Sequence, residues 1–247
     1  MCYDISFLTH KKNIYEKRFN AQIAVKHIDV EKTYHAMAFD LPDVPCIKHS
    51  NPSAITSLTW GLIPSWVQSV NEAEKIRYKT ANARAETVFE KHFFNKSAKN
   101  KRCIVIVDGF FEHHHVTQKK IPFFIRRRDD NPFALAGIWD EWSVGDIKRE
   151  TFSILTTAGN SLLGKIHNNP QMSGPRMPFI LDKSTEDLWL NPDSTEDELK
   201  KIMQPYDLQN KILEAFPVGT LRGKNRVGNT PQAIKSVYYP EIPPLFF

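Results

Sequence analysis

The sequence has few cysteines and lacks the glycine-rich motifs of nucleotide-binding proteins. Its 247 residues include three cysteines, Cys2, Cys46 and Cys103, with no C-x-x-C pair. Such a set argues against a disulfide framework and against a structural zinc site. There is no G-x-G-x-x-G or G-x-S-x-G motif, and residues 219–225, GTLRGKN, are one residue short of a phosphate-binding loop and lack its terminal Ser or Thr. We therefore expect no nucleotide cofactor and no metal.

Long apolar runs are also absent. No stretch approaches the roughly 18 residues of a membrane span, and the N-terminus, MCYDISFLTHKK, lacks the basic and apolar regions of a secretion signal. We expect no membrane association and a cytoplasmic location, at the nucleoid if the protein is bacterial. The hydrophobic content of 41% is ample for a core. No boundary divides the chain, so one domain over residues 1–247 and a monomer are predicted.

Strand-like segments outnumber helical ones. Apolar and polar residues alternate from Cys2 to Leu8, and the run CIVIV at 103–107 is typical of a strand buried on both faces. Further strands are predicted at 123–126, 133–142, 152–157 and 177–181. Because strands and helices do not alternate regularly, we expect an α+β fold around a largely antiparallel, strongly curved or barrel-like sheet with peripheral helices.

Loops and helices complete this prediction. Proline and turn residues indicate an irregular loop over 40–52, and residues 80–88 indicate a polar loop. Helices are predicted at 89–97 and 161–166. Two capping boxes, Ser184 with Asp187 and Ser194 with Asp197, each predict the start of a helix. Residues 183–247 are thus expected to be helical and irregular.

The balance of charge favours a polyanionic partner. The net charge is +5, and basic residues recur in short clusters, including Arg222, Lys224 and Arg226. A solvated surface would have the same composition. Trp60 and Trp66 could stack on nucleic-acid bases, although we expect at least one of them to be a core residue.

Cys2 offers an unusual combination of reactive groups. If the initiator methionine is removed, residue 2 carries a free α-amine beside its thiol. At neutral pH the nucleophilic fraction of such an amine is roughly several hundred-fold larger than that of a lysine. An aldehyde captured by the amine as an imine can then be closed by the sulfur into a five-membered thiazolidine. Most N-termini have no chemical role, so Cys2 alone does not establish this function.

Isolated polar residues follow several buried-looking segments. Asn82 and Arg84 lie in the polar loop, Glu112 follows the buried strand, and His167 follows the helix predicted at 161–166. Each has an ordinary structural explanation as a cap, a strand end or a helix terminus. Together with Cys2 they would supply a nucleophile, an acid/base pair, an orienting amide and a phosphate contact.

The order of the motifs resembles the SRAP family, the SOS response-associated peptidases or abasic site processing proteins. The resemblance covers about residues 1–182. It rests on Met1-Cys2, WGLIPSW at 60–66, NARAET at 82–87, DGFFE at 108–112, AGIWDEW at 136–142, TFSILTTAGN at 151–160, IH at 166–167 and RMPFIL at 176–181.

The resemblance implies covalent capture of abasic sites in single-stranded DNA by a thiazolidine, in the DNA damage response. It assigns Cys2 as the nucleophile and Glu112 as the general acid/base. His167 would assist opening of the deoxyribose ring, and Asn82 would orient the reacting groups. The DNA contacts it implies are phosphate binding by Arg84 and Arg176 and a strand-parting wedge that includes Trp66.

The sequence departs from the family pattern beside the nucleophile and near His167. The family usually begins Met-Cys-Gly-Arg, whereas this chain has Tyr3 and Asp4. The change removes an expected phosphate contact and adds a negative charge. An insertion, NNPQMSGP, separates His167 from Arg176 and is expected to lengthen one wall of a DNA groove.

Two other functions remain open at this point. Cys2 could be the nucleophile of an N-terminal-nucleophile thiol peptidase or amidohydrolase, with its own amine as the base, and self-removal of Met1 could be the only hydrolysis. A non-catalytic nucleic-acid-binding module could use the basic clusters and tryptophans. Only the abasic-site crosslinker requires Glu112, His167 and a free α-amine together.

Overall fold

Two β-sheets with peripheral helices make up the fold. The computed structural model describes residues 2–8, 11–24, 33–117, 119–205 and 212–242. The strands in these ranges are β1 (Asp4–Phe7), β2 (Gln22–Ile23), β3 (Thr33–Met37), β4 (Asp43–Lys48), β5 (Ala54–Trp60), β6 (Asn82–Arg84), β7 (Arg102–Val107), β8 (Gly109–Val116), β9 (Lys119–Arg127), β10 (Phe133–Val144), β11 (Ile147–Ala158), β12 (Arg176–Pro178), β13 (Ile180–Leu181) and β14 (Leu213–Pro217).

The α-helices in the described ranges are short. They are α1 (Lys12–Phe19), α2 (Val70–Arg77), α3 (Asn95–Asn100), α4 (Ser161–Ile166), α5 (Lys183–Leu190) and α6 (Glu196–Ile202). Among them, none has the length and apolar character that crossing a membrane requires.

Five strands of the larger sheet close into a barrel. β5, β4, β7, β10 and β11 are successive antiparallel neighbours, and β11 pairs in parallel with β5 to complete the ring. Alternate side chains of β7 enter two different core clusters: Cys103, Val105 and Val107 join one, and Ile104 and Ile106 join the other. Burial on both faces explains the uninterrupted CIVIV run. The predicted α+β fold with a barrel-like sheet is confirmed.

The smaller sheet holds the N-terminal strand in a central position. Its order is β14-β9-β8-β1-β3, so β1 is paired antiparallel on both edges. Beyond the strand, the backbone N–H of Leu8 donates to Asp108 Oδ2 at 2.6 Å. Asp108 is itself buried and forms an ion pair with Lys11 at 3.2 Å. The chain that leaves β1 is therefore fixed by Asp108.

The predicted loop at 40–52 is wrong in its centre, where β4 forms. Val44, Cys46 and Ile47 of this strand are buried, and their burial outweighs the turn-forming composition. Pro45 pairs with Ser57 on β5 but lies one residue outside the stretch paired with β7. A proline is tolerated there because its missing N–H removes no hydrogen bond to β7.

Three other sequence predictions are corrected by the structure. The polar loop at 80–88 contains β6, which pairs in parallel with β11. The helix expected at 89–97 begins only at Asn95, because Phe89 is buried whereas Phe93 is 42% exposed, so the phenylalanines do not share one face. The C-terminal part also contributes a strand, β14.

The capping boxes lie slightly away from their predicted positions. Asp182 caps α5 together with Thr185, and Thr195 caps α6 together with Glu198. Ser184 instead donates its hydroxyl hydrogen to Asp182 at 2.6 Å. A carboxylate is a stronger acceptor than a hydroxyl, so Asp182 takes the capping position that the sequence pattern assigned to Ser184.

Gly109 is required at the start of β8, which follows β7 along the chain and pairs with β1 and β9. A Cβ at this position would overlap the ring of Phe124 and lie 2.8 Å from the carbonyl oxygen of Ile125. We predict that Gly109→Ala lowers the free energy of unfolding by about 1–3 kcal/mol through overpacking, measured by denaturant unfolding. Gly164→Ala is the control, since a Cβ in α4 would meet nothing closer than 4.0 Å; equal destabilisation of both variants would contradict this reasoning.

Candidate active site

The backbone around Cys2 is held by residues from both sheets. Cys2 precedes β1 and is 0% exposed. Its thiol donates a hydrogen bond of 3.6 Å to the carbonyl oxygen of Asp4. The Cys2 carbonyl oxygen accepts a hydrogen bond of 2.8 Å from Asn82 Nδ2. Asn82 begins β6 and pairs with Ile154 of the barrel strand β11. The residue after the initiator is thus fixed between the smaller sheet and the barrel.

The amide oxygen of Asn82 is buried beside Cys2 without a hydrogen bond. Among the described residues, Asn82 Oδ1 has no donor within reach. A buried acceptor of this kind costs free energy unless a donor arrives. An amine or hydroxyl bound at Cys2 would satisfy it, which is the arrangement expected of a residue that orients a reacting group.

A carboxyl group and an imidazole meet in the same place. Glu112 lies on β8 one residue beyond Phe111, which pairs with Asp4 of β1. Its Oε1 accepts from the backbone N–H of His113 at 3.0 Å, and its Oε2 lies 3.4 Å from His167 Nδ1. Both side chains are almost completely buried. The sequence-predicted acid/base pair is therefore in contact, although the two residues are 55 positions apart.

The end of α4 positions His167. Asn160 caps the start of the helix through Leu163 N, and His167 closes it with a hydrogen bond of 2.8 Å from its N–H to the carbonyl oxygen of Leu163. The imidazole Nδ1 also lies 3.1 Å from the backbone nitrogen of Arg176. The inserted residues 168–175 therefore loop out and return the chain to His167.

Burial shifts the protonation of all three reactive groups toward their neutral forms. It raises the pKa of Glu112 to about 7 and lowers the pKa of His167. Burial, reinforced by the negative charge of Glu112, raises the pKa of the Cys2 thiol far above its ordinary value. Near neutral pH the site therefore presents a thiol, a carboxyl group close to half protonation and a neutral imidazole.

Asp4, which replaces the basic residue of the family pattern, is fully paired. Its Oδ1 lies 2.9 Å from His35 Nε2, and its Oδ2 accepts from Arg222 Nη2 at 2.6 Å. Burial opposes ionisation of Asp4, but the hydrogen bond with His35 and the charge of Arg222 outweigh it, so the pKa of the carboxyl group is lowered. The added negative charge is thus balanced inside the structure.

A cleft of about 380 Å³ opens onto this site. Tyr3, Glu112 and His167 line one part of it. The insertion contributes Asn169 and Met172, and the C-terminal segment contributes residues 220–222. The insertion therefore forms part of a wall, as its position suggested, and the other contribution comes from a part of the chain that sequence reasoning did not connect with the site.

The predicted DNA-binding residues differ in their accessibility. Arg84 is exposed at the end of β6, and Trp66 is half-buried against His92 and Phe93, with ring centroids 4.6 and 5.7 Å away. Trp60 is 0% exposed and donates its indole N–H to the carbonyl oxygen of Ala81 at 2.8 Å. It is a core residue, so the suggested stacking of Trp60 on a base is not supported.

Arg176 is also engaged within the protein. Its guanidinium group forms a bidentate ion pair with Glu86, at 2.5 and 2.9 Å, and donates to the carbonyl oxygen of Thr156 at 2.6 Å. The residue is 9% exposed. These contacts join β12 to β11 and to the segment after β6, so the side chain has a structural role and its predicted phosphate contact is not supported.

Sequence reasoning noted Tyr3 only as a departure from the family pattern, and it missed His35 and Arg222 as parts of the site. Of these two, only Arg222 had a signal, since it lies in the basic GTLRGKN segment that fails as a phosphate-binding loop. The contact of Arg222 with Asp4 spans 218 positions. No local pattern reports a contact of that range.

Comparison with known proteins agrees with this geometry. The sequence model of the family described as SOS response associated peptidase (SRAP) matches residues 1–225. The chain belongs to the SRAP family. The match extends beyond residues 1–182, over which the motifs were recognised, and includes the segment that carries Arg222.

Relatives and solved structures support the SRAP assignment. The Bacillus subtilis protein named abasic site processing protein YoqW is 38% identical over 193 residues, which cover 77% of this chain and 80% of that protein. Abasic site processing protein HMCES of Xenopus tropicalis is 28% identical over 76% of this chain and 59% of its own length. A crystal structure of a Bacteroides thetaiotaomicron protein superposes with a TM-score of 0.84 and 35% identity, covering 96% of this chain and all of the other.

Glu112 should make stability depend on pH. Because its pKa is raised from 4.5 to about 7, the folded protein binds a proton that the unfolded chain releases, and the stability contribution present below pH 4.5 is lost as the pH rises through 7. Glu112→Gln removes this titration. We predict that the free energy of unfolding of Glu112→Gln relative to wild type increases by about 3 kcal/mol between pH 4.5 and 8.

Denaturant unfolding at several pH values measures this difference. Glu90→Gln, which changes an exposed glutamate, should leave the wild-type pH profile unaltered. Parallel profiles for wild type and Glu112→Gln would show that the carboxyl group does not titrate in the expected window.

Proposed function

We propose that this protein, after removal of Met1, captures abasic sites in single-stranded DNA covalently through the α-amine and thiol of Cys2, and so shields the lesion. The observation that carries the proposal is that the Glu112–His167 pair lines a cleft, while Cys2, held by Asn82, lies close enough for the charge of Glu112 to raise the pKa of its thiol. The names of the SRAP relatives support a DNA-processing role. No cofactor is required by the chemistry.

The first step exposes the aldehyde of the abasic sugar. In the closed deoxyribose, a proton must leave the anomeric hydroxyl and another must reach the ring oxygen. His167 is buried and its pKa is lowered, so a neutral imidazole is available to accept the first proton and return it to the ring oxygen. Ring opening is an isomerisation, and no atom is lost.

Imine formation follows at the α-amine. The amine nitrogen attacks the aldehyde carbon, and the resulting carbinolamine loses its hydroxyl as water when an acid supplies a proton. Glu112, with a pKa of about 7, is close to half protonated near neutrality and can act first as the acid and then as the base. The unpaired oxygen of Asn82 would accept a hydrogen bond from the nitrogen during these steps.

Ring closure uses the thiol. The sulfur of Cys2 adds to the imine carbon, the C–S bond forms, and the thiol proton ends on the nitrogen. The whole sequence therefore releases one water and leaves a thiazolidine. Because burial and Glu112 keep the thiol protonated, attack by the amine precedes attack by the sulfur, and the proton that leaves the sulfur has Glu112 as a nearby acceptor.

DNA would be held by accessible basic and aromatic residues. Arg84 is exposed and would contact phosphate, and the partly exposed ring of Trp66 would stack beside a splayed base. We propose a monomer as the acting form, at the DNA in the cytoplasm or nucleoid.

The thiol-peptidase alternative receives less support. A peptidase nucleophile needs a thiolate, or a base that generates one. Here burial raises the pKa of the thiol. An amine-first reaction does not need a thiolate at its initial step, so crosslinking fits the electrostatics better than amide hydrolysis does.

The crosslink is tested with a single-stranded oligonucleotide that carries one abasic site. Wild-type protein with Met1 removed, as verified by intact mass, should give a slower band that survives a denaturing gel. Cys2→Ala and Cys2→Ser retain an α-amine but lack sulfur, so they should form only an imine. We predict that these variants give a durable band only after borohydride reduction.

Matched variants separate the terminal thiol from the other cysteines. Cys103→Ala removes a different buried thiol and should still crosslink. Absence of the wild-type band, with Met1 demonstrably gone, would falsify the proposed function. A durable adduct of Cys2→Ser without reductant would refute the role of the sulfur.

A further inference from the structure

The segment that follows β14 lines the same cleft as Glu112 and His167, and the mechanism above does not use it. Leu221 is 1% exposed and packs in a core cluster with Phe111 and Phe124, next to β8. The neighbouring backbone is closed by a hydrogen bond of 2.9 Å from Val227 N to Thr220 O. Arg222 is therefore attached to a fixed support at the edge of the site.

Asp4 fixes one end of the Arg222 guanidinium group. The ion pair joins Nη2 to Asp4 Oδ2 at 2.6 Å, with the Asp4 side chain 3% exposed and the Arg222 side chain 47% exposed. Within the described part of the chain, Arg222 Nη1 and Nε make no hydrogen bond. Arginine has five N–H donors in a planar fork. Several donors thus remain for a ligand in the cleft, and the side chain is already oriented.

A second cation lies on the same cleft. Lys120 lines it from β9, where it pairs with His115 of β8. The adjacent Lys119 is bound to Glu241, but no carboxylate among the described residues pairs with Lys120. The acidic groups lining the cleft are Asp4, which is already paired, and Glu112, which is close to half protonation near neutral pH. The rim is therefore cationic.

We propose that Arg222, oriented by Asp4 and assisted by Lys120, binds the backbone phosphate of the nucleotide that flanks the reacting sugar. The inference rests on the proposed function, because a sugar placed at Glu112 and His167 brings its neighbouring phosphodiesters into the same cleft. A guanidinium fork suits phosphate oxygens. In the family pattern a basic residue stands at the position of Asp4. The C-terminal segment would thus supply a cation in place of that residue.

Binding of unmodified single-stranded DNA tests the role of Arg222 without any covalent step. Arg222→Gln should weaken binding several-fold at low salt and reduce the slope of log affinity against log salt by about 0.7, the loss of one phosphate contact. Arg222→Lys should retain most of the slope. Arg226→Gln removes an exposed charge from the same segment and should remain within two-fold of wild type, as roughly expected for a residue without a phosphate contact.

Abasic oligonucleotides can locate the contact. In a series, a single phosphodiester on either side of the lesion is replaced by a neutral methylphosphonate, and the initial crosslinking rate is measured below saturation. At one linkage the replacement should slow wild type several-fold and leave Arg222→Gln unchanged. Equal sensitivity of both proteins at every linkage would overturn the proposal.

The structural alternative is that Arg222 serves only to neutralise Asp4. In that case Arg222→Gln would lower the melting temperature while keeping the wild-type salt slope, and this result would also overturn the proposal. The salt measurement uses intact DNA, so it decides the role of Arg222 whether or not a crosslink forms.

Discussion

The pairing of β1 along both of its edges is the constraint on which the site depends. Chain termini are ordinarily mobile, and a reactive group there would lose much of its advantage to conformational entropy. Here Asp4–Phe7 is buried between β3 and β8, and Asp108 binds the backbone at Leu8. Cys2 lies two residues before this strand and is tied to Asn82 on the other sheet. Folding therefore fixes the position of Cys2 in advance, so the proposed capture would not bear the conformational entropy cost of ordering it.

Burial then determines the charge distribution of the cleft. One cause, removal from water, raises the pKa of Glu112 and of Cys2 and lowers that of His167. Near neutral pH the thiol and the imidazole are therefore uncharged, and Glu112 is close to half protonation. Attraction of a polyanion then falls to the rim, where Lys120 and Arg222 are exposed. The buried groups of the site are thus the ones that transfer protons, and the exposed cations at the rim are the ones that attract DNA.

The sequence predicted those features whose cause is local. The run at 103–107 indicated a strand buried on both faces, and α4 was predicted with its observed bounds, because the relevant signals lie within a few residues. β4 was missed because its turn-forming composition is overridden by burial between two distant strands. Family motifs pointed to Cys2, Asn82, Glu112 and His167, of which Cys2 contacts Asn82 and Glu112 contacts His167. They gave no indication that Trp60 and Arg176 are occupied by internal contacts.

The complete enclosure of the Cys2 side chain has a consequence for the protein before it meets DNA. Oxidants and alkylating agents react with exposed thiolates, and the rate falls as the thiol becomes neutral and inaccessible. For the proposed capture, the sulfur has to stay reduced until it is used. In the chain that retains Met1, the packing that raises the thiol pKa also shields the sulfur, so the residue is preserved until the initiator is removed.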